Sequence, residues 1–498
     1  MDNSGHREAS TPRRALASHS KKHEKAWYYP PPTRSGMPNV NTQDAYIRMN
    51  TQPPMNARNG SAAGGAHASA TRPLSRHDAK TLSLSALGGA LEFYDFVIFV
   101  FFAAVVGKLF FPADMPDWLR MVQTFGIFAA GYLARPLGGI IMAHFGDMLG
   151  RKKMFMFSIC LMAVPTLVMG MLPTYASIGI AAPMLLLLMR VLQGAAIGGE
   201  APGAWVFVTE HVPSRHVGFA CGTLSAGLVS GILLGSLVAT AINAAFTAEE
   251  VAAYGWRIPF LLGGVLGFVT MYLRRWLHET PIFAELQARK ELSAELPIKT
   301  VVREHWRSVV LSMGVTWLLT AAVVVTILMT PTLLQKFAGI DAQTSLEANS
   351  VAIICVIIGC LVSGHLADRF GNGVILLIWS VGLGVSYWLF FALMHQSTAL
   401  LFPLYAVVGF FVGLTGVVPA VAVKSFPAAV RFTGLSFSYN VAYAIFGGLT
   451  PMVISLTMAS DPMAPAYYVA LVSAVGVVIG LVLCMGSVRQ QHVVTASS

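Results

Sequence analysis

The chain has 498 residues, of which 55% are hydrophobic and only 11% charged, with a mean hydropathy of +0.65. That balance excludes an ordinary water-soluble domain, in which about a quarter of the residues are charged. The formal net charge of +10 does not indicate a nucleic-acid partner, because residues 1–80 carry 12 Lys and Arg against 5 Asp and Glu, which places +7 of it in one end segment.

Taken in chain order, residues 1–78 are rich in Ser, Pro, Asn, Arg and His, have no apolar period, and are expected to form a disordered basic cytoplasmic tail. They contain no apolar core of a signal peptide, and Met37, Met49 and Met55 are alternative starts within them. Apolar runs follow at 82–108, 119–145, 154–172, 177–208, 217–246 and 257–276, then at 308–335, 346–367, 373–393, 398–423, 432–457 and 465–487. Each is near the roughly 20 residues a helix needs to cross the hydrocarbon layer, where backbone N–H and C=O groups must be satisfied within their own segment. The expectation is an all-α membrane protein with twelve transmembrane helices in two six-helix bundles, 79–276 and 308–487. A solvated cytoplasmic linker over 277–307, alternating acids with bases, would join them, and a short cytoplasmic tail over 488–498 would follow.

Basic loops are retained on the cytoplasmic side. Arg151, Lys152, Lys153, Arg215, Arg274, Arg275, Arg369, Lys424, Arg431 and Arg489 fall on one side with the linker, whereas the other side holds little beyond Lys108, Arg120 and Lys336. Both termini are therefore expected in the cytoplasm.

A repeat relates the two halves. "GYLARPLGGIIMAHFGDMLGRKK" at Gly131–Lys153 returns in weaker form as "GHLADRFGNG" at Gly364–Gly373, each with an acid, Asp147 or Asp368, three residues before a turn glycine, Gly150 or Gly371. By themselves such loop acids mark a turn and a helix start.

Charges inside the apolar runs carry the functional expectations. Arg190 lies midway along its run, where a charge costs about 2.5–3.5 kcal/mol even on lenient insertion scales, so it must face a partner or a cavity. Gln193 is on the same helical face, and the two together could hold a carboxylate or an acid. Glu92 and Asp95 share one face of the first helix, and two poorly hydrated carboxylates that close cannot both stay ionised cheaply. One of them is suited to load a proton while pairing alternately with Arg190. Arg135, beside Pro136, is expected to snorkel to the cytoplasmic edge. Ser436, Tyr439 and Asn440 should face a central cavity, since an amide in lipid is costly. Glu200, after Gly198 and Gly199, should sit near the cytoplasmic end of its helix as a gate residue or an interfacial acid. Asn243 and Lys336 read as interfacial, and His365 as structural.

The five cysteines all lie in apolar runs without metal-ligand spacing, so neither a disulfide nor a metal site is expected. No phosphate-binding loop, HExxH or nucleophile elbow is present. An enzyme, an ATP-driven pump and a cofactor are thus not expected.

Several motifs together resemble the major facilitator superfamily, and within it the metabolite:proton symporters related to the proline/betaine, α-ketoglutarate, citrate and shikimate carriers. They are "ALEFYDF" (Ala90–Phe96), "GYLARPLGG" with "FGDMLGRK" (Gly131–Lys152), "RVLQGAAIGGE" (Arg190–Glu200), "YGWRIPFLLG" (Tyr254–Gly263), "ETPIFAEL" (Glu279–Leu286) and "FPAAVRFTGLSFSYNVAYAIFGGLTP" (Phe426–Pro451). The chain departs from the family pattern at Met148, Asn372 and Lys424, and in "APGAW" after Glu200.

The resemblance implies the major facilitator fold and a gating role for Asp147, Arg151, Asp368 and Arg369, with Glu200 a further gate candidate. It also implies proton-coupled uptake of a small polar metabolite across a bacterial inner membrane by alternating access. A carboxylate is the first expected substrate and a zwitterion such as proline or betaine the second. Glu92, Asp95 and Arg190 are the expected proton-coupling residues, and Arg190, Gln193, Tyr439 and Asn440 the expected substrate contacts. The partners expected are the solute, protons and lipid, with the protein a monomer and no nucleic acid bound. Export or antiport, or a metabolite sensor signalling through the tail, stay open as alternatives.

Overall fold

The computed structural model describes residues 73–149, 151–198, 200–274, 298–394, 398–427, 430–458 and 460–496. The expected tail up to residue 72, and the linker over 275–297, lie outside them.

The first helix, α1 (Arg76–Phe101), opens on a reciprocal cap. The Ser75 hydroxyl accepts from the Asp78 N–H at 3.1 Å, and the Asp78 carboxylate accepts from the Ser75 N–H at 2.9 Å. The helix thus begins ahead of residue 79, the start expected for the bundle. After a break at Phe102 the chain continues as the helix Ala103–Phe110. There follow α2 (Asp117–Leu149), which runs through Pro136, α3 (Arg151–Met171), α4 (Ala181–His211), α5 (Ser214–Ala245) and α6 (Arg257–Arg274). The second half contains α7 (Trp306–Phe337), α8 (Ala342–Phe370), α9 (Asn372–Leu393), α10 (Leu401–Lys424), α11 (Arg431–Thr457) and α12 (Ala464–Ala496). Of the linker, only the short helix Ile298–Glu304 is described.

Among the described residues, nine helices are long and apolar enough to cross a membrane, and a tenth span forms if Ala248–Gly255 is joined to the start of α6 across a 44° bend. Helices α2 and α3 occupy the two remaining expected segments, and no strand occurs among the described residues. In the first half α1 packs on α5, α2 on α4 and α3 on α6; in the second, α8 packs on α10, α9 on α12 and α7 on α11. The most extensive contacts between the halves are of α5 with α8 and of α2 with α11.

Small residues let these backbones meet, which is how helices associate where water does not drive them together. A methyl group on Gly194 would overlap the Gly131 carbonyl, locking α4 onto α2. At the α5–α8 crossing a methyl on Gly218 would stand 2.6 Å from Gly364 O, and one on Gly364 would stand 2.5 Å from Gly218 O.

Two of the second-half helices change pitch at mid-length: Ala321–Met329 of α7 and Tyr443–Gly448 of α11 are π-helical. The wider turn frees carbonyls for outside donors. The Tyr405 hydroxyl donates to Thr326 O at 2.7 Å and lies 2.6 Å from Asn349 Oδ1.

Candidate functional site

Arg190 and Gln193 are both fully buried where α4 crosses α1 and α2. Arg190 Nη1 donates to Gln193 Oε1 at 2.8 Å and to the Phe96 carbonyl at 3.2 Å. Gln193 Nε2 in turn donates to Thr166 Oγ1 at 2.6 Å, with Asp95 O at 3.5 Å. The guanidinium lies over the rings of Phe96, Phe99 and Phe128 at 4.4, 4.7 and 5.3 Å. Its Nε and Nη2 are buried without a hydrogen-bond partner among the described residues.

Glu92 and Asp95 are also buried, but the ion pair expected between this acid pair and Arg190 is not formed here. Asp95 faces α6 instead. Methyl groups on Gly263 and Gly267 would come within 2.7 and 3.1 Å of its two oxygens, and its neighbour Tyr94 donates to Pro259 O of α6 at 2.9 Å. Asp95 Oδ1 has no hydrogen-bond partner among the described residues. Asp95 thus lies against α6 and Thr166, while Arg190 meets α1 at the Phe96 carbonyl.

A second buried cation was not expected. Arg135 does not snorkel: it is 3% exposed, and its guanidinium is enclosed by Tyr132, Tyr439 and Tyr443 at 5.5, 5.5 and 4.6 Å from the ring centres. Its Nε has no hydrogen-bond partner among the described residues. Two of these tyrosines belong to α11, about 300 positions away in the chain, which is why the stretch around Arg135 did not reveal them. Tyr132 links the two cations. It meets Phe96 and Phe128 edge-on at 5.0 and 4.8 Å, and stacks on Tyr443 at 5.5 Å. Tyr443 contacts Tyr439 at 4.6 Å, and Tyr439 meets Trp205 of α4 at 5.1 Å. One series of rings therefore runs from the interior of the first half through the tyrosines of α11 to Trp205, with Arg190 over its first rings and Arg135 over Tyr132, Tyr439 and Tyr443.

Asn440 ties this series to α4, donating through Nδ2 to Gly198 O and to Ser436 O, the latter at 2.9 Å. Its Oδ1 is buried without a partner among the described residues. Tyr439 and Asn440 are thus beside Arg135, whereas Arg190 and Gln193 lie at the start of the series.

Of the expected gate residues, Asp368 is held most explicitly. Its carboxylate accepts from the N–H groups of Gly218 and Phe219 at 2.6 and 2.7 Å, so an acid of the second half caps the N-terminus of a first-half helix. Arg369 is exposed and lies over its neighbour Phe370. Glu200 is half-buried at the start of the second segment of α4. Asp147 and Arg151 fall in α2 and α3, but their side chains are outside what is described. On the same face Arg431 Nη1 meets Glu210 Oε1 at 3.4 Å, a link between α11 and α4 that the sequence did not suggest. Toward the opposite face Ser236 of α5 hydrogen-bonds Ser350 of α8 at 2.8 Å. Helices α5 and α8 are therefore joined at both ends. Among the described residues no group of His, Cys, Asp and Glu could hold a metal ion, and Cys160, Cys221, Cys355 and Cys360 are free.

A model of the Major Facilitator Superfamily matches residues 85–451. The chain is 35% identical over 407 residues to a putative proline/betaine transporter of Staphylococcus aureus (strain COL), covering 80% of this chain and 86% of that protein. It is 33% identical over 421 residues to the proline/betaine transporter of Salmonella typhimurium, covering 81% and 82%. In structure it is similar to a D-xylose-proton symporter at a TM-score of 0.63, with 16% identity over 81% of this chain and 96% of the other. A xylose transporter from E. coli in a partially occluded inward-open conformation gives a TM-score of 0.64 at 14% identity, over 82% and 97%. At those identities the likeness is one of fold.

Proposed function

The chain belongs to the Major Facilitator Superfamily, and on that premise we propose that it takes up a small zwitterion of the proline or betaine kind together with protons, by alternating access to one central site. The observation that carries this reading is the aromatic series with two arginines stacked along it. A zwitterion needs an anion contact and a cation contact a few ångströms apart. Arg190 Nε and Nη2 and Arg135 Nε, which have no hydrogen-bond partner among the described residues, offer the first. The faces of Tyr132, Tyr439 and Tyr443 offer the second, since an ammonium over an aromatic ring gains about 0.5–2 kcal/mol. In the present state Arg135 itself covers those faces, so a bound solute would displace its guanidinium from a ring and pair with it.

The names of the 35% and 33% identical relatives point the same way. They do not favour the simple carboxylic acid expected first from the sequence, and that expectation is given up. Arg190, Gln193, Tyr439 and Asn440 remain the proposed substrate contacts, and Arg135, Tyr132 and Tyr443 join them. Glu92 and Asp95 are the proposed proton carriers. Because Asp95 turns to α6 while Arg190 turns to Phe96 O, their pairing belongs to another state of the cycle. Asp147, Arg151, Glu200, Asp368 and Arg369 are proposed to set the gate. The positive-inside argument supports a cytoplasmic position for both termini in a bacterial cell.

The test is solute-driven proton flux in proteoliposomes carrying a trapped pH dye, with proline, glycine betaine, citrate, α-ketoglutarate and shikimate added in turn. Lumenal acidification with proline or betaine is expected. Acidification only with the three acids would restore the carboxylate, outward proton movement would indicate antiport, and silence with all five would favour a sensor.

A further inference from the structure

On the face opposite the 211–214 turn, the described helix ends and turns contain only four Lys or Arg residues: Lys108, Arg120, Arg257 and Lys336. Arg257 is committed to the end of α3, donating to Gly170 O at 3.0 Å and Leu172 O at 2.8 Å. The other three come from separate parts of the chain and line one crevice, together with Asp117, Met121 and Thr124. Lys336 reaches it from the second half, and the rest belong to the first. Arg120 is tied to the turn beneath it through both terminal nitrogens, Nη1 donating to Asp117 at 3.0 Å and Nη2 to Met115 O at 2.8 Å, Ala113 O at 3.2 Å and Pro112 O at 3.4 Å, and its Nε is buried and unpartnered among the described residues. Lys108 and Lys336 are exposed and make no ion pair among the described residues.

Three cations against one carboxylate repel one another, and on a translocated face basic residues are scarce to begin with. Their convergence across the junction of the halves favours an anion between them. We propose that this crevice is an outer docking site for the carboxylate of an incoming small solute, held between Lys108 and Arg120 of the first half and Lys336 of the second. The proposal rests on the zwitterion reading for its ligand and on the cytoplasmic placement of the termini for its side. A steering field of this kind raises the rate of encounter more than the strength of binding. An anionic lipid headgroup offers the same oxyanion chemistry, so the experiment separates the two sources.

Full-length protein with Met121→Cys, and its five native cysteines replaced by alanine, is placed in phosphatidylcholine vesicles. The crevice thiol is labelled with an anionic and with a cationic methanethiosulfonate, each rate normalised to that on free cysteine. The anionic reagent is expected to be favoured about tenfold, as one or two unit charges a few ångströms away in water would produce. The preference should disappear in 1 M salt, where the screening length is about 3 Å, and in the Lys108→Gln/Lys336→Gln variant. Proline or glycine betaine should slow labelling. An absent preference, or one that survives neutralisation of the lysines, overturns the site. Slowing by added phosphatidylglycerol but not by the solutes overturns the solute as its ligand. A charge preference in a protein that moves neither solute would leave an oxyanion site standing while the transport reading fell; uptake without the preference would do the reverse.

Discussion

Arg135 and Arg190 are charges that a bilayer should refuse, and each is kept by flat neighbours. Rings on three sides suit a planar guanidinium but not a compact ammonium, so lysine at either position keeps the charge and loses the stacking. Arg135→Lys is expected to raise the KM for solute uptake about tenfold, in line with one or two lost cation–π contacts. Tyr443→Phe should stay near the parent value and Tyr443→Leu should match Arg135→Lys; equal KM values for both Tyr443 variants would remove the tyrosine faces from the site. For the acids the separation is between energised and passive flux. Glu92→Gln or Asp95→Asn should lose uphill, pH-driven accumulation and keep solute exchange at equal concentrations, and retention of uphill uptake by both variants would sink the proton-carrier assignment. Arg190 was legible in the sequence because a charge midway along an apolar run advertises its own cost. Arg135 was not, because its place beside Pro136 suggests a helix end and partners that bury it come from α11.

At the scale of helices, the two links on the 211–214 face are unequal. Arg431 and Glu210 meet at 3.4 Å with a quarter of each side chain exposed, a pair worth about 0–1 kcal/mol. Asp368 instead ends a helix, receiving two backbone N–H groups at 2.6 and 2.7 Å where a positive helix terminus adds to the bond. Losing that charge should cost about 1–2 kcal/mol, or roughly a 5–30-fold shift toward separation of α5 from α8. Cys221, fully buried beside this junction, is a native reporter. Its maleimide labelling should rise about tenfold in Asp368→Asn and in Gly218→Ala, whose added methyl would stand 2.7 Å from Asp368 Oδ1, and should stay at the parent level in Arg431→Gln. The reverse order would make the exposed pair the stronger latch. The repeat of "GDMLG" in "ADRFG" located this device, since an acid near a turn glycine was visible twice; its acceptor, the bare start of α5, is ordinary sequence and could only be seen folded.

Taken whole, the molecule divides the work between its halves. The buried arginines and the acid pair belong to α1, α2 and α4, while the second half contributes tyrosines, an asparagine and the acid that reaches back across to α5. Hydropathy made the long apolar helices readable because lipid imposes one after another. It could not assign partners, because every helix is apolar and pairing depends on where small residues such as Gly194 and Gly364 come face to face. If the residues before α1 serve only as a tail, a chain lacking 1–72 should take up solute at the parent rate in vesicles, whereas a sensor signalling through them would fall silent.

The π-helical stretches of α7 and α11 bear on how the chain tolerates a change of length. Each residue of an α-helix turns the following side chains by 100°, so deleting one from α8 would swing Gly364 and Asp368 off α5 together. A π-helical stretch holds one more residue than the same length of α-helix. Removing a single residue from within Ala321–Met329 or Tyr443–Gly448 can therefore be absorbed as a return to ordinary pitch, with both flanks still in phase. A one-residue deletion scan should find its permissive positions at these two places, and the surviving chains would reveal whether the wide turn itself is required for transport or only the register it carries.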